Sequence, residues 1–338
     1  MTVWLPAIAT GVGSMPGSSA QEAMRIVAGE LPDFLHVVEL PERGPGADMV
    51  GRTAALLATV DVGFGVETTP DGWRISRSVG RQVRRAQSWL SEDLDALEDC
   101  ARDYNGPIKA AICGPWTLAA QIELPTGERL LRDPSAVRDL VQALAEAARL
   151  HVADIRRRVP GSTVVLQVDE PALPTVLAGR IGTSSGLSTY KAVDEQHAEK
   201  VLREILFDGA GVHCCAEQPP VDLLRRAGAA FVSVDLLSLG QACDDDLGRA
   251  FDDGVGVFAG CVASTGEGPV GDTRASAPVR DLLHRLGLTD ARWLAQVAVT
   301  PACGLAAASP TWTRTALAAC RAVGRVVRHD ESDEEDQR

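Results

Sequence analysis

His213, Cys215 and Cys303 are the residues of this chain whose types and spacing could do the most chemistry. His213 and Cys215 stand two apart in Gly211-Val212-His213-Cys214-Cys215, at the end of a short apolar run. Cys303 lies far downstream, in Thr300-Pro301-Ala302-Cys303-Gly304. On a strand, residues i and i+2 face the same side, so His213 and Cys215 can turn toward one ion while Cys214 turns away into packing. One imidazole and two thiolates form a donor set that Zn2+ favours, and a fourth oxygen or sulfur would complete a tetrahedron. Asp235, which ends Phe231-Val232-Ser233-Val234-Asp235, offers a carboxylate for that position. An open fourth position would instead admit a substrate atom. Because Zn2+ deprotonates a coordinated thiol at neutral pH, this set suits thiol alkylation better than hydrolysis by a bound water.

Other polar motifs point to an amino-acid substrate. In Gln167-Val168-Asp169-Glu170-Pro171-Ala172-Leu173 two adjacent carboxylates must point in different directions, so at most one faces a site. Asp169 is the inward candidate, placed to hold a substrate ammonium; the plain alternative is a helix N-cap. Thr10-Gly11-Val12-Gly13-Ser14-Met15-Pro16 is either a tight turn or a backbone cradle whose N–H groups and hydroxyl suit a carboxylate. It lacks the lysine and the spacing of a nucleotide phosphate loop, which argues against ATP. Glu39 and Glu42 are further candidates, although Glu42-Arg43 could equally be a surface ion pair.

These residues need a scaffold that brings distant segments together. Eight short apolar, β-rich runs, at 8–13, 34–40, 108–113, 164–168, 211–214, 231–234, 256–261 and 297–300, alternate with helical patterns. Ser19-Ala20-Gln21-Glu22 has capping-box spacing, and 134–158, 193–207, 219–228, 275–287 and 310–327 read as helices. The fold class expected is α/β: a single (β/α)8 TIM barrel, spanning 1–327, with an inserted hairpin region after the second strand. Chemistry in such barrels sits beyond the C-terminal ends of the strands, where the motifs above all fall. The eight cysteines are irregularly spaced, which points to reduced thiols. A net charge of −13 argues against nucleic acid, and part of it lies in an acidic tail, 328–338, expected to be disordered. No apolar run is long enough to span a membrane, and the first ten residues lack the features of a signal peptide, so the cytoplasm is the expected location.

Taken together, Val12-Gly13-Ser14, Glu42-Arg43 followed by Asp48-Met49-Val50, Gly114-Pro115-Trp116-Thr117, the Asp169-Glu170-Pro171-Ala172-Leu173 segment, His213-x-Cys215 and Cys303-Gly304-Leu305 resemble the catalytic barrel of the cobalamin-independent methionine synthase family. They cover almost the whole chain in family order, and the Asp-Glu-Pro-Ala-Leu and His-x-Cys elements are the specific ones. The resemblance implies zinc on His213, Cys215 and Cys303, with Asp235 standing where the family has a glutamate. It also implies a substrate carboxylate held by Val12, Gly13 and Ser14, and an amino group held by Asp169. Glu39 completes the substrate-binding residues, and no catalytic residue beyond the metal site is assigned. The activity implied is methyl transfer to homocysteine, or a related thiol, giving methionine. The donor is methyltetrahydropteroylglutamate by family analogy, or a methylated corrinoid or other small donor. Here the chain departs from the family: the folate-stacking tryptophan has no clear counterpart near Gln121, although Trp116 is close by. The loop Gly260-Cys261-Val262-Ala263-Ser264 also lacks the family's proton-handling histidine. The expected partners are thus a small-molecule thiol and a methyl donor, with no nucleic acid or membrane, and a monomer is compatible with them. The alternatives are a noncatalytic zinc- or thiol-binding barrel serving as sensor or chaperone, and a uroporphyrinogen decarboxylase-like enzyme.

Overall fold

The eight apolar runs become the strands of one parallel sheet in a computed structural model that describes residues 4–60, 65–69, 72–76 and 79–335. The chain begins β1 (Ile8–Ala9), α1 (Ala20–Glu30), β2 (Leu35–His36), α2 (Met49–Val60), β3 (Gly65–Thr69), β4 (Gly72–Ser76) and α3 (Arg81–Cys100). It continues through β5 (Pro107–Cys113), α4 (Pro115–Gln121), β6 (Ile122–Glu123), α5 (Pro134–Arg158), β7 (Thr163–Asp169) and α6 (Leu173–Leu177). Then follow α7 (Glu195–Ile205), β8 (Gly211–His213), α8 (Val221–Arg226), β9 (Phe231–Asp235) and α9 (Asp244–Asp252). The last elements are β10 (Gly256–Val262), α10 (Asp272–Arg285), β11 (Val297–Pro301) and α11 (Pro310–Glu335).

The large sheet has the order β1-β11-β10-β9-β8-β7-β5-β2, so its two ends are the first two strands of the chain. Those ends meet beyond their regular portions. Ser14 and Glu39 form a parallel bridge, the Met15 N–H donates to the Glu39 carbonyl at 2.8 Å, and the Glu39 N–H donates to the Gly13 carbonyl at 3.2 Å. The sheet therefore curls into the expected barrel, and the seam carries two of the candidate binding segments.

Alternation along the strands fills the barrel in layers. Ile8, Phe34, Val165, Phe231, Phe258 and Ala298 meet Trp4 in an apolar layer, with Phe231 and Phe258 stacked at 4.0 Å between centroids. Two residues further on, the same faces carry Thr10, His36, Gln167, Ser233 and Thr300, so the next layer is polar. The larger hydrophobic core lies between sheet and helices.

Helix starts follow the sequence signals. The Ser19 hydroxyl accepts the Glu22 N–H at 3.3 Å, and Asp133 accepts the N–H groups of Ser135 and Ala136 at the head of the long α5. The inserted hairpin is present as β3 paired antiparallel with β4, and β4 pairs with β6 through Trp73–Ile122; its tip at 70–71 lies outside the described residues. The insertion is richer than a hairpin, because α2 and α3 flank it. At the C-terminus the backbone of α11 is helical to Glu335, and residues 336–338 of the acidic stretch lie outside the described residues. Extending a helix that is already nucleated needs no new nucleus, so a docked helix readily carries into a polar stretch. Among the described residues no helix is long and apolar enough to cross a membrane, and all eight cysteines are free of disulfides.

Candidate functional site

β8 ends at His213, Cys215 follows two residues later, and Cys303 follows β11 by two residues. Loops after strands that are neighbours across β9 and β10 thus return three soft or borderline donors to one spot. Their ligand atoms all lie within 4.8 Å of one another. The Cys215 and Cys303 sulfurs are 3.1 Å apart, and Cys303 Sγ is 3.7 Å from His213 Nε2. His213 Nδ1 is bound to the Ser233 hydroxyl at 2.9 Å, which leaves Nε2 directed at the thiols. Such an outer partner fixes a metal-binding imidazole in one orientation. The Cys303 N–H donates to Ser264 Oγ at 2.9 Å, anchoring the second thiol to the loop after β10.

The two thiols are in hydrogen-bond contact. Their contact holds Cys303 well below the ordinary thiol range, with His213 adding to the effect against burial, while the same contact pushes Cys215 upward. A pair of thiols that favours one thiolate is chemically prepared for a cation. The residues fit zinc in donor type: two half-buried sulfurs and an oriented imidazole. Cys214 is fully buried next to them and burial raises its thiol to about 12, in keeping with a packing role.

Asp235 is not brought into this group. It ends β9 on the expected face, yet one carboxylate oxygen accepts the Leu237 N–H at 2.8 Å and the other the Ser238 hydroxyl at 2.9 Å. An aspartate caps its own following turn readily because its side chain is short, and here that local bonding has prevailed. Among the described residues the donor group consists of His213, Cys215 and Cys303.

Beside the thiols lies a carboxylate pair. Asp169 ends β7 in register with His213, is buried, and has its acid constant raised by burial against the pull of His213, Gln167 and Lys109. Glu39 sits across the barrel seam. Burial raises it to about 7, with Arg52 opposing and Asp169 adding. Gly13 approaches the Glu39 carboxyl, and Gly304 passes so close to Ser14 that a β-carbon there would sit 2.0 Å from the Ser14 hydroxyl. The Leu305 N–H donates to the Ser14 carbonyl at 2.8 Å, so the Val12–Ser14 turn is tied to the loop that carries Cys303. Val12, Gly13, Ser14, Glu39 and Asp169 therefore surround the same mouth as the donor set.

The adjacent pair at 169–170 divides its work as alternation requires. Glu170 turns away from the barrel mouth and accepts the N–H groups of Trp116 and Thr117, each at 2.9 Å, and the Thr117 hydroxyl at 2.7 Å. It caps α4 from another segment, a version of the cap alternative that sequence alone does not locate. Trp116 is buried with its indole N–H directed at the Ala198 carbonyl, so it offers no open stacking face, and Gln121 is exposed. Glu42 is at the surface of a short turn, but its neighbour Arg43 is bound inward to Asp93 at 2.8 Å.

Four supporting residues carry little signal in the sequence. Lys109 is only 1% exposed inside the barrel, Arg52 and Asp93 form a buried ion pair beneath Glu39, and Ser233 orients His213. For Lys109 and Ser233 the available clue was a polar residue at an alternate position of an otherwise apolar strand, whereas Arg52 and Asp93 lie on α2 and α3.

No curated protein matches the chain. Residues 7–325 match the family model described as the cobalamin-independent synthase catalytic domain. Among solved structures it is similar to a B12-independent methionine synthase from Shewanella sp. W3-18-1, determined in complex with selenomethionine. Identity is 11% with a TM-score of 0.60, over 96% of this chain and 99% of that one. A second likeness, to the carboxyl transferase domain of Rhizobium etli pyruvate carboxylase, is 12% identical over 95% of this chain and 53% of that one, with a TM-score of 0.32. The extent of the family match, with the barrel it predicts in place, shows that the chain belongs to the cobalamin-independent methionine synthase family, as a catalytic domain.

Proposed function

We propose that the protein is a zinc-dependent S-methyltransferase that methylates homocysteine, or a closely related amino-acid thiol, on sulfur. The observation that carries this reading is the placement of the His213, Cys215 and Cys303 donors beside the Asp169 and Glu39 carboxylates on one barrel face. Family membership supports it, as does the selenomethionine held by the Shewanella enzyme, a close analogue of the expected product.

The bound ion would be held by His213 Nε2 and the two thiolates, and would supply the Lewis acidity that keeps a substrate sulfur deprotonated at neutral pH. Ser233 keeps the imidazole oriented. Asp169 and Glu39 bind the ammonium of the substrate, and the backbone of Val12, Gly13 and Ser14 binds its carboxylate. These contacts convert a bimolecular collision into an oriented approach, which is where much of the acceleration in a methyl transfer arises. In the reaction the substrate thiol loses its proton and an S–CH3 bond forms. The bond from methyl to donor breaks, and its electron pair leaves with the donor.

The direct test is homocysteine methylation by zinc-loaded protein with two donors, methyltetrahydropteroylglutamate and methylcobalamin. Turnover with one of them is expected, falling more than about 100-fold in Cys215→Ser and Cys303→Ser, each of which removes a metal ligand. Absence of turnover with both donors would leave a thiol-binding barrel without catalysis and overturn the reading.

A further inference from the structure

Lys109 is a buried cation that the methyl-transfer scheme does not use. It lies on β5 with its chain inside the barrel, and its Nζ donates to the Val12 carbonyl at 2.8 Å and to Gln167 Oε1. Gln167 in turn donates through Nε2 to the same Val12 carbonyl at 3.1 Å and to Asp169 Oδ1 at 2.7 Å. A primary amide has one accepting and one donating end, and burial leaves no water to exchange them. An ammonium can only donate, so wherever Lys109 is charged the Gln167 oxygen must face it. The amide nitrogen is then forced toward Asp169.

We infer that Lys109 is a positioning residue that sets the Gln167 amide so that Asp169 presents its other oxygen to the ammonium of the bound amino acid. The inference rests on the amino-acid pocket proposed above. Without Lys109 the amide is free to turn its oxygen toward Asp169, where two acceptors would repel. The carboxylate would then swing away from the substrate. Burial lowers Lys109 to about 7, with the charges of Asp169 and Glu39 opposing that fall, so the two carboxylates help keep it cationic.

The test compares zinc-loaded wild type, Lys109→Met and Gln167→Met by calorimetric titration with homocysteine and with its desamino analogue, 4-mercaptobutyrate. Gln167→Met keeps the length of the side chain and leaves Lys109 its bond to the Val12 carbonyl, but it cannot donate to Asp169. Wild type is expected to prefer homocysteine. Both variants should keep their zinc and lose roughly 10-fold or more of that preference, the worth of one hydrogen bond to a charged group. An unchanged ratio, including an equal loss of both ligands, would overturn the positioning role. A wild type that shows no preference for the amino compound would overturn the pocket itself, and the positioning role with it.

Discussion

At His213 the imidazole is oriented by Ser233 on the neighbouring strand, which leaves Nε2 facing the Cys303 sulfur. Ser233→Ala should therefore weaken zinc binding about 10- to 100-fold, read by competition with a chromogenic chelator, while leaving the fold intact. Glu39 supplies a pH dependence. Burial places it at about 7, so below that pH it becomes neutral and its attraction for a substrate ammonium is lost. Homocysteine affinity should rise as pH passes upward through about 7, and Glu39→Gln should remove that part of the profile; titrations between pH 6 and 8 would check it. His213, Cys215 and Cys303 were legible because soft donors at strand ends are unusual enough to carry chemistry by type alone. Lys109 was not, because one lysine in an apolar run reads as an exposed edge until barrel closure shows which face is enclosed. Asp235 misled for a related reason: its strand and face were correct, but nothing in a sequence tells whether a carboxylate reaches across a site or caps its own turn.

At the scale of elements, the insertion is joined to the site by ionic contacts. Asp93 of α3 pairs with Arg52 of α2 and with Arg43, and Arg52 Nε lies 3.7 Å from Glu39. Asp93 is fully buried, so Asp93→Ala would leave two guanidinium groups without their shared counterion. A loss of about 3–5 kcal/mol is expected in denaturant unfolding, against under 1 kcal/mol for an exposed pair such as Arg102–Asp99. The start of the long α5 was readable from Pro134 and its capping aspartate. In contrast, α3 begins with an arginine-rich turn that resembles a charged loop, although Val83, Ala86, Leu90, Leu94 and Leu97 recur at helical spacing behind it. Glu170 shows the limit of reading elements separately, since the helix it caps starts more than fifty residues earlier in the chain.

For the whole molecule, the barrel core is complete without the donor set, which stands on its rim. This is unlike a small zinc domain whose fold depends on its ion. Chelation should therefore lower the thermal midpoint by only about 5 °C, the effect of losing a ligand held at roughly 100 times its dissociation constant, with the far-UV circular dichroism spectrum at 25 °C unchanged. The barrel was foreseeable because eight β-rich runs alternate with helices, whereas its closure through Ser14 and Glu39 is a long-range pairing that no local pattern announces. The central claim is that this rim holds zinc on one nitrogen and two sulfurs and leaves a place for the sulfur of a substrate. Zinc K-edge absorption of the loaded protein, with and without homocysteine, measures that directly. The expected spectra show two sulfur neighbours per zinc from the protein and a third when homocysteine is added; a sulfur count unchanged by homocysteine would contradict the account.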